Sequence, residues 1–309
     1  MSKTSIEWSE KVWNPVTGCD KVSPGCDNCY ALTMSNRNQH NPKVGDKYAG
    51  TTHKVGERGK LAWTGKINLI ESALGYPLTV KKPSLIFVNS MSDLFHDDVP
   101  FEFIDKVFTV MALCDWHTYQ ILTKRPDRMA AYFRNKKYIE ISKGEDAERV
   151  SAKIYFPFPN VWLMTSVEDQ KRADERISYL LQCPAAVRGL SIEPLLEAID
   201  LKFPTLREAH EEAAGMALEG MFFGMNGINP SSKTGNGIHW IICGGESGPG
   251  ARPMHPDWVR SIRDQCKAAN VPFFFKQLSK NDLYLPEIDY KDYDKFPKDL
   301  QIRQWPNSR

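Results

Sequence analysis

Six short apolar runs, each closed by a polar cluster, constrain this chain more than any other feature. They are SLIFVNSMSD (84–93), HTYQILTKR (117–125), NVWLMTSVED (160–169), VRGLSIEP (187–194), HWIICGGESG (239–248) and VPFFFKQL (271–278). Stretches of helical period lie among them: PFEFIDKVFTVMALC (100–114), RADERISYLLQC (172–183) and PDWVRSIRDQCKAA (256–269). Strands that are apolar nearly throughout have both faces covered, and their alternation with helices predicts a parallel sheet. Pro100 after Asp98-Val99, and Pro256 after His255 with Asp257 in the first turn, mark helix starts.

Every run ends in groups able to do chemistry. In chain order these are Asn89, Ser90 and Asp93; Thr123, Lys124 and Arg125; Ser166 and Glu168; Ser191 and Glu193; Gly244, Gly245, Glu246 and Ser247; and Lys276 and Gln277. A doubly wound sheet gathers its ligand groups at one switch point, whereas a β/α barrel uses the carboxyl ends of all its strands. The expected fold is therefore α/β, a full or partial (β/α) barrel of six to eight parallel strands with insertions. WNPVTGC (13–19) is expected as its first strand, and GKINLI (65–70) as a further one. The barrel is expected over residues 1–280, with a polar loop or lid at 36–64 and a helical insertion at 203–238. A tail, 281–309, is expected to wrap back over it. The strand ends at Asp93, Lys124, Glu168, Glu193 and Glu246 are expected to share one cavity with a cysteine loop described next.

Three of the seven cysteines, Cys19, Cys26 and Cys29, fall within eleven residues, while Cys114, Cys183, Cys243 and Cys266 are scattered in or beside apolar sequence. The scattered four read as small buried hydrophobes. An odd cysteine count and a start, MSKTSIEWSE, with no apolar segment after its Lys predict a cytoplasmic chain without a disulfide framework. No run approaches 18 apolar residues, so no membrane span is expected. In a reducing compartment, clustered thiolates point to metal. Zinc in a structural site takes four ligands, and no fourth Cys or His lies within ten residues of Cys29. An iron–sulfur cluster is the alternative, since thiolates are its standard ligands. Three protein ligands on a four-iron cube leave one iron open to a small molecule.

With 40 Lys+Arg against 38 Asp+Glu, net charge supplies no global attraction to nucleic acid. One local patch does: TKRPDRMAAYFRNKKY (123–138) interleaves basic and aromatic residues, which suits phosphates and stacked bases or else an ordinary solvated helix face. A zinc-dependent nucleic-acid-binding module without catalysis is thus the alternative reading of the whole chain.

The segments IEWSEKVWNPVTGCDKVSPGCDNCYA, FVNSMSDLFHDDVP, HTYQILTKRPDR, SVEDQKRADERI, LSIEPLLE and GGESGPGARPMHPDWVRSIRDQC, in this order, resemble a phage- and prophage-associated three-cysteine family of unknown function. That family is distantly similar to the radical S-adenosylmethionine enzymes. The resemblance implies a [4Fe–4S] cluster on Cys19, Cys26 and Cys29, with S-adenosylmethionine chelating the open iron. It also implies a 5′-deoxyadenosyl radical that abstracts hydrogen, an electron donor of flavodoxin or ferredoxin type, and a small-molecule or nucleic-acid substrate. Two departures stand out: six residues rather than three separate the first two cysteines, and Asn28 replaces the usual aromatic residue before the third, with Tyr30 following it.

On this reading the strand ends become binding groups. Gly244 and Gly245 would admit the cofactor against the backbone, and Glu246 and Ser247 would meet its donors. Glu193, Ser166 and Asp93 are further cofactor-binding candidates. Lys124, Arg125, Glu168 and Lys276 are candidates for the substrate, with Lys276 expected either to snorkel or to pair with Glu246. Glu168 and Asp169 serve equally well as a helix cap.

Overall fold

The computed structural model describes residues 4, 6–57, 59–143, 150–202, 237–248 and 250–306. Seven parallel strands form the main sheet: β1 Lys11–Trp13, β2 Leu85–Val88, β3 Thr118–Thr123, β4 Val161–Ser166, β5 Val187–Ile192, β6 Trp240–Gly244 and β7 Phe273–Gln277. Their order in the sheet is their order in the chain. A doubly wound sheet reverses direction at a switch point, and this one never does. Among the described residues β1 and β7 are not paired with each other, so the strand order is that of a partial β/α barrel.

The six apolar runs all form the strands expected of them, and every residue of β2, β4, β5 and β6 is buried. Helices occupy the intervals: α1 Tyr30–Gln39, α2 Phe101–Leu113, α3 Pro126–Phe133, α4 Gln170–Leu181 and α5 Pro256–Ala268. In α2 the buried side chains Phe103, Ile104, Val107, Phe108 and Met111 recur at helical spacing, which gives the helix one apolar face. Phe108 stacks on Tyr132 and meets Phe133, Phe156 and Phe158 edge-on. Truncating a fully buried Phe of this kind costs about 3–5 kcal/mol. At the start of α5, His255 Nδ1 accepts from the Asp257 N–H, and Pro256 opens the first turn.

Three expectations need correction. The first strand is Lys11–Trp13, not 13–19. Pro15 lacks a ladder N–H, and Val16–Thr17 turns away to pair antiparallel with Asn68–Leu69. That short pair is all that GKINLI contributes, and it stands outside the main sheet. Residues 36–64 are not a long loop: α1 runs to Gln39, a helical turn spans Gly45–Tyr48, and Thr52–Val55 pairs antiparallel with Lys60–Trp63. The expected helical insertion, 203–238, lies outside the described residues except for its last two positions.

The chain divides into two compact units, 1–166 with 175–186, and 167–174 with 187–309. The first holds β1–β4 and the cysteine loop. The second holds β5–β7, and there the C-terminal segment lies along β7: Phe275 N–H donates to Ile302, and Gln304 N–H to Phe273.

Candidate metal centre

The cysteine loop is pinned before it begins. Gly18 has φ +90°, and a Cβ there would stand 2.1 Å from the Lys66 carbonyl oxygen, so only glycine fits. The loop is also stitched to the NSMSD segment after β2. Asn89 N–H donates to Trp13, Ser92 Oγ donates to the Val16 carbonyl at 2.8 Å, and Tyr30 Oη reaches the Ser90 carbonyl at 2.7 Å. Residues 16–30 therefore belong at the carboxyl end of β2, where a partial barrel would place them.

Cys29 sits at the N-cap of α1, with the amides of Ala31 and Leu32 near its sulfur but no side-chain cap hydrogen bond. Burial raises the Cys29 thiol, while those amides and the nearby Lys124 ammonium pull it back. Burial, reinforced by Asp93, pushes the Cys19 thiol up to about 12, with Cys29 and Cys26 close enough to add their repulsion. Ser23 Oγ lies 3.8 Å from Cys26 Sγ. All three thiols are free and partly exposed, unlike Cys114, Cys183, Cys243 and Cys266, which are buried.

Around the thiols stands a charged set from the ends of β2 and β3. Both oxygens of the buried Asp93 are taken up. Thr123 Oγ1 donates at 2.6 Å, the Phe95 N–H at 3.0 Å, the Lys124 N–H at 2.9 Å and Arg125 Nη1 at 3.3 Å. Arg125 also pairs with Asp20, whose carboxylate lies 3.2 Å from His96 Nε2. The first unit thus brings Cys19, Cys26, Cys29, Asp93, Lys124 and Arg125 together, and it adds Asp20, which sequence reasoning overlooked. Its position next to Cys19 was the available signal.

Among the described residues no group of three or more His, Cys, Asp or Glu is arranged around a single metal ion. A zinc site needs sulfurs converging on one point at about 2.3 Å. A cubane does not, because each thiolate takes a different iron. The donor set suits a cluster: burial favours the neutral thiols of Cys19 and Cys29, and iron would supply the charge that makes the ligands thiolates. Two of the three aromatic residues of the 123–138 patch, Tyr132 and Phe133, are buried, Tyr138 is half-buried, and Lys136 pairs with Asp105.

In the second unit Lys276 pairs with Glu193 at 2.5 Å, not with Glu246. Glu246 is instead held by Arg252, through both the side chain and the backbone N–H at 2.7 Å. The expectation of a Lys276–Glu246 pair is thereby corrected. Gly245 has its own structural reason, because a Cβ there would lie 2.5 Å from the Ser279 nitrogen. Gly244 is less crowded, 3.4 Å from the Gln277 carbonyl oxygen. Ser247 is partly exposed beside them. Glu168 is buried, its carbonyl accepts from Leu196 N–H, and neighbouring Asp169 caps α4 through the Arg172 N–H at 2.9 Å. Ser166, in the first unit, is buried, and its carbonyl accepts from Arg176.

Residues 3–295 match the family described as "Protein of unknown function (DUF5131)". No curated protein matches the chain. Among solved structures it is similar to spore photoproduct lyase complexed with dinucleoside spore photoproduct, at 10% identity and TM-score 0.39 over 87% of this chain. A double mutant of that lyase with bound AdoMet and dinucleoside spore photoproduct gives 11% identity and TM-score 0.37, again over 87% of this chain. The chain spans 64% of the length of each of these structures.

Proposed function

The chain belongs to the DUF5131 family, and we propose that it is an iron–sulfur enzyme of the radical S-adenosylmethionine type that modifies an unidentified substrate, a nucleotide or nucleic-acid base being one candidate class. The carrying observation is the three-thiol loop fixed at the carboxyl end of β2 with Lys124 and Arg125 beside it. Cys19, Cys26 and Cys29 would hold a [4Fe–4S] cluster, and S-adenosylmethionine would complete it. Together these cofactors supply a one-electron reductive cleavage that the side chains themselves cannot.

The chain's own residues position and insulate. Gly18 and the NSMSD contacts hold Cys19 in place before any metal arrives. The helix α1 amides favour the Cys29 thiolate. Asp93 organises the ends of β2 and β3 rather than meeting the cofactor, because its acceptor capacity is filled. Arg125 is likewise engaged, and Lys124, whose ammonium acts on Cys29, is a cation of the kind that suits a carboxylate or phosphate. In the second unit the Glu193–Lys276 pair is the better binding candidate, since Glu246, Gly244 and Gly245 serve their own turn. Among the described residues no helix is long and apolar enough to cross a membrane. A reducing compartment such as the cytoplasm, with a flavodoxin- or ferredoxin-type donor, would keep the thiols and cluster competent.

Incubating the anaerobically reconstituted protein with S-adenosylmethionine and dithionite tests the reading. Formation of 5′-deoxyadenosine is expected. A brown, cluster-bearing protein that leaves S-adenosylmethionine intact and does not bind it at millimolar concentration would overturn it.

A further inference from the structure

Arg125 is a buried cation of the first unit that holds two carboxylates. Its side chain is only 7% exposed, yet it carries a full charge between two carboxylates and a thiol. A guanidinium offers five donors in a rigid fork, so two carboxylates can be met without strain. Nη1 donates to Asp93 Oδ2 at 3.3 Å and Nη2 donates to Asp20, with the Cys19 thiol close enough to act on the guanidinium charge. The backbone is equally fixed, since the Arg125 N–H donates to Thr123 Oγ1 at 2.9 Å and that hydroxyl donates to Asp93. The Asp20 oxygen that accepts from Nη2 also lies 3.2 Å from His96 Nε2, and the Asp98 N–H donates to His96 Nδ1 at 3.1 Å.

We propose that Arg125 is a positioning residue for the cluster, clamping the Cys19 end of the loop and setting the potential at which the cluster accepts an electron. The inference rests on the reading of this loop as an iron–sulfur site. Hydrogen bonds to ligating sulfur and nearby positive charge stabilise the more negative, reduced state. A buried cation acts through a lower dielectric than an exposed one, so Arg125 should outweigh Lys124. Asp20 acts in the opposite sense, being a negative charge next to Cys19. At 46% side-chain exposure its effect is better screened. A purely structural clamp would hold the loop without shifting the potential.

The test compares reconstituted wild type, Arg125→Gln, Arg125→Lys and Asp20→Asn by iron and sulfide content and by EPR-monitored redox titration. Arg125→Gln is expected to make reduction about tenfold less favourable, a shift of about 59 mV to lower potential for one electron. Arg125→Lys should fall between it and wild type, and Asp20→Asn should move upward by less. Unchanged potentials in Arg125→Gln and Asp20→Asn, or shifts of the same sign, overturn the proposal. If Arg125→Gln holds no cluster, Arg125→Lys decides: a downward shift supports the proposal, and no shift or an upward one refutes it. A wild type that takes up no iron and sulfide overturns the cluster reading and this inference together. A normal cluster indifferent to both substitutions overturns this inference alone.

Discussion

Lys276 and Glu193 form a 2.5 Å ion pair between the ends of β7 and β5, two strands separated in the sheet by β6. Their side chains are 16% and 19% exposed, so removing one partner leaves a poorly hydrated charge. Lys276→Met is expected to cost about 1–3 kcal/mol by urea denaturation, with Glu193→Gln/Lys276→Met less destabilised than the sum of the two single variants. Strict additivity would mean that the two side chains do not interact.

Gly244 and Gly245 separate two roles that adjacent glycines can play. The Cβ of Gly245→Ala would strike the Ser279 backbone, whereas that of Gly244→Ala would meet Gln277 at 3.4–3.5 Å. Gly245→Ala is expected to lose about 2 kcal/mol or more, and Gly244→Ala about 1 kcal/mol or less, in chemical denaturation. Equal losses would contradict the packing account.

Gly18→Ala should be more damaging still. Its φ of +90° is unfavourable for any side chain, and the Lys66 carbonyl blocks the space. A stability loss of at least about 2 kcal/mol is expected, together with reduced iron uptake because Cys19 follows directly. Full iron uptake at wild-type stability would show that Gly18 does not position the loop.

His239 makes the second unit sensitive to acid. Burial, with Arg188 adding its repulsion, lowers the imidazole to about 4, while Nδ1 accepts the Arg188 N–H at 3.0 Å. Because the unfolded chain binds this proton more readily, stability is full above the unfolded value of about 6.5 and falls as pH drops toward 4. Between pH 6.5 and 5 the loss from this group is at most about 2 kcal/mol. His239→Asn, which keeps an acceptor, is expected to flatten that slope in urea titrations at the two pH values. An unchanged slope would assign it to other groups.

The sheet was legible because a buried strand must be apolar on both faces, and SLIFV, YQILT, VWLMT and WIICG are. β1 was misplaced because Lys11–Trp13 is too short and too polar to announce itself. The hairpin Thr52–Val55 with Lys60–Trp63 hid in a polar segment, although Gly56 and Gly59, both at positive φ, mark its turn. The three cysteines stood out by their spacing, and the structure gathers them beside Asp93 and Arg125. Pairings were not legible. Whether Lys276 meets Glu193 or Glu246 depends on how strand ends face each other, which no local pattern encodes. Arg252, six residues after Glu246, was a local rival for that carboxylate and prevails in the structure.

The central claim is that Cys19, Cys26 and Cys29 together hold one cluster, and iron and acid-labile sulfide content per chain tests it most directly. After anaerobic reconstitution the wild type is expected to carry about four of each, with absorbance near 400 nm. Cys19→Ala, Cys26→Ala and Cys29→Ala should each lose most of it, while Cys114→Ala should keep it. A Cys26→Ala protein with the full wild-type complement of iron and sulfide would contradict the account.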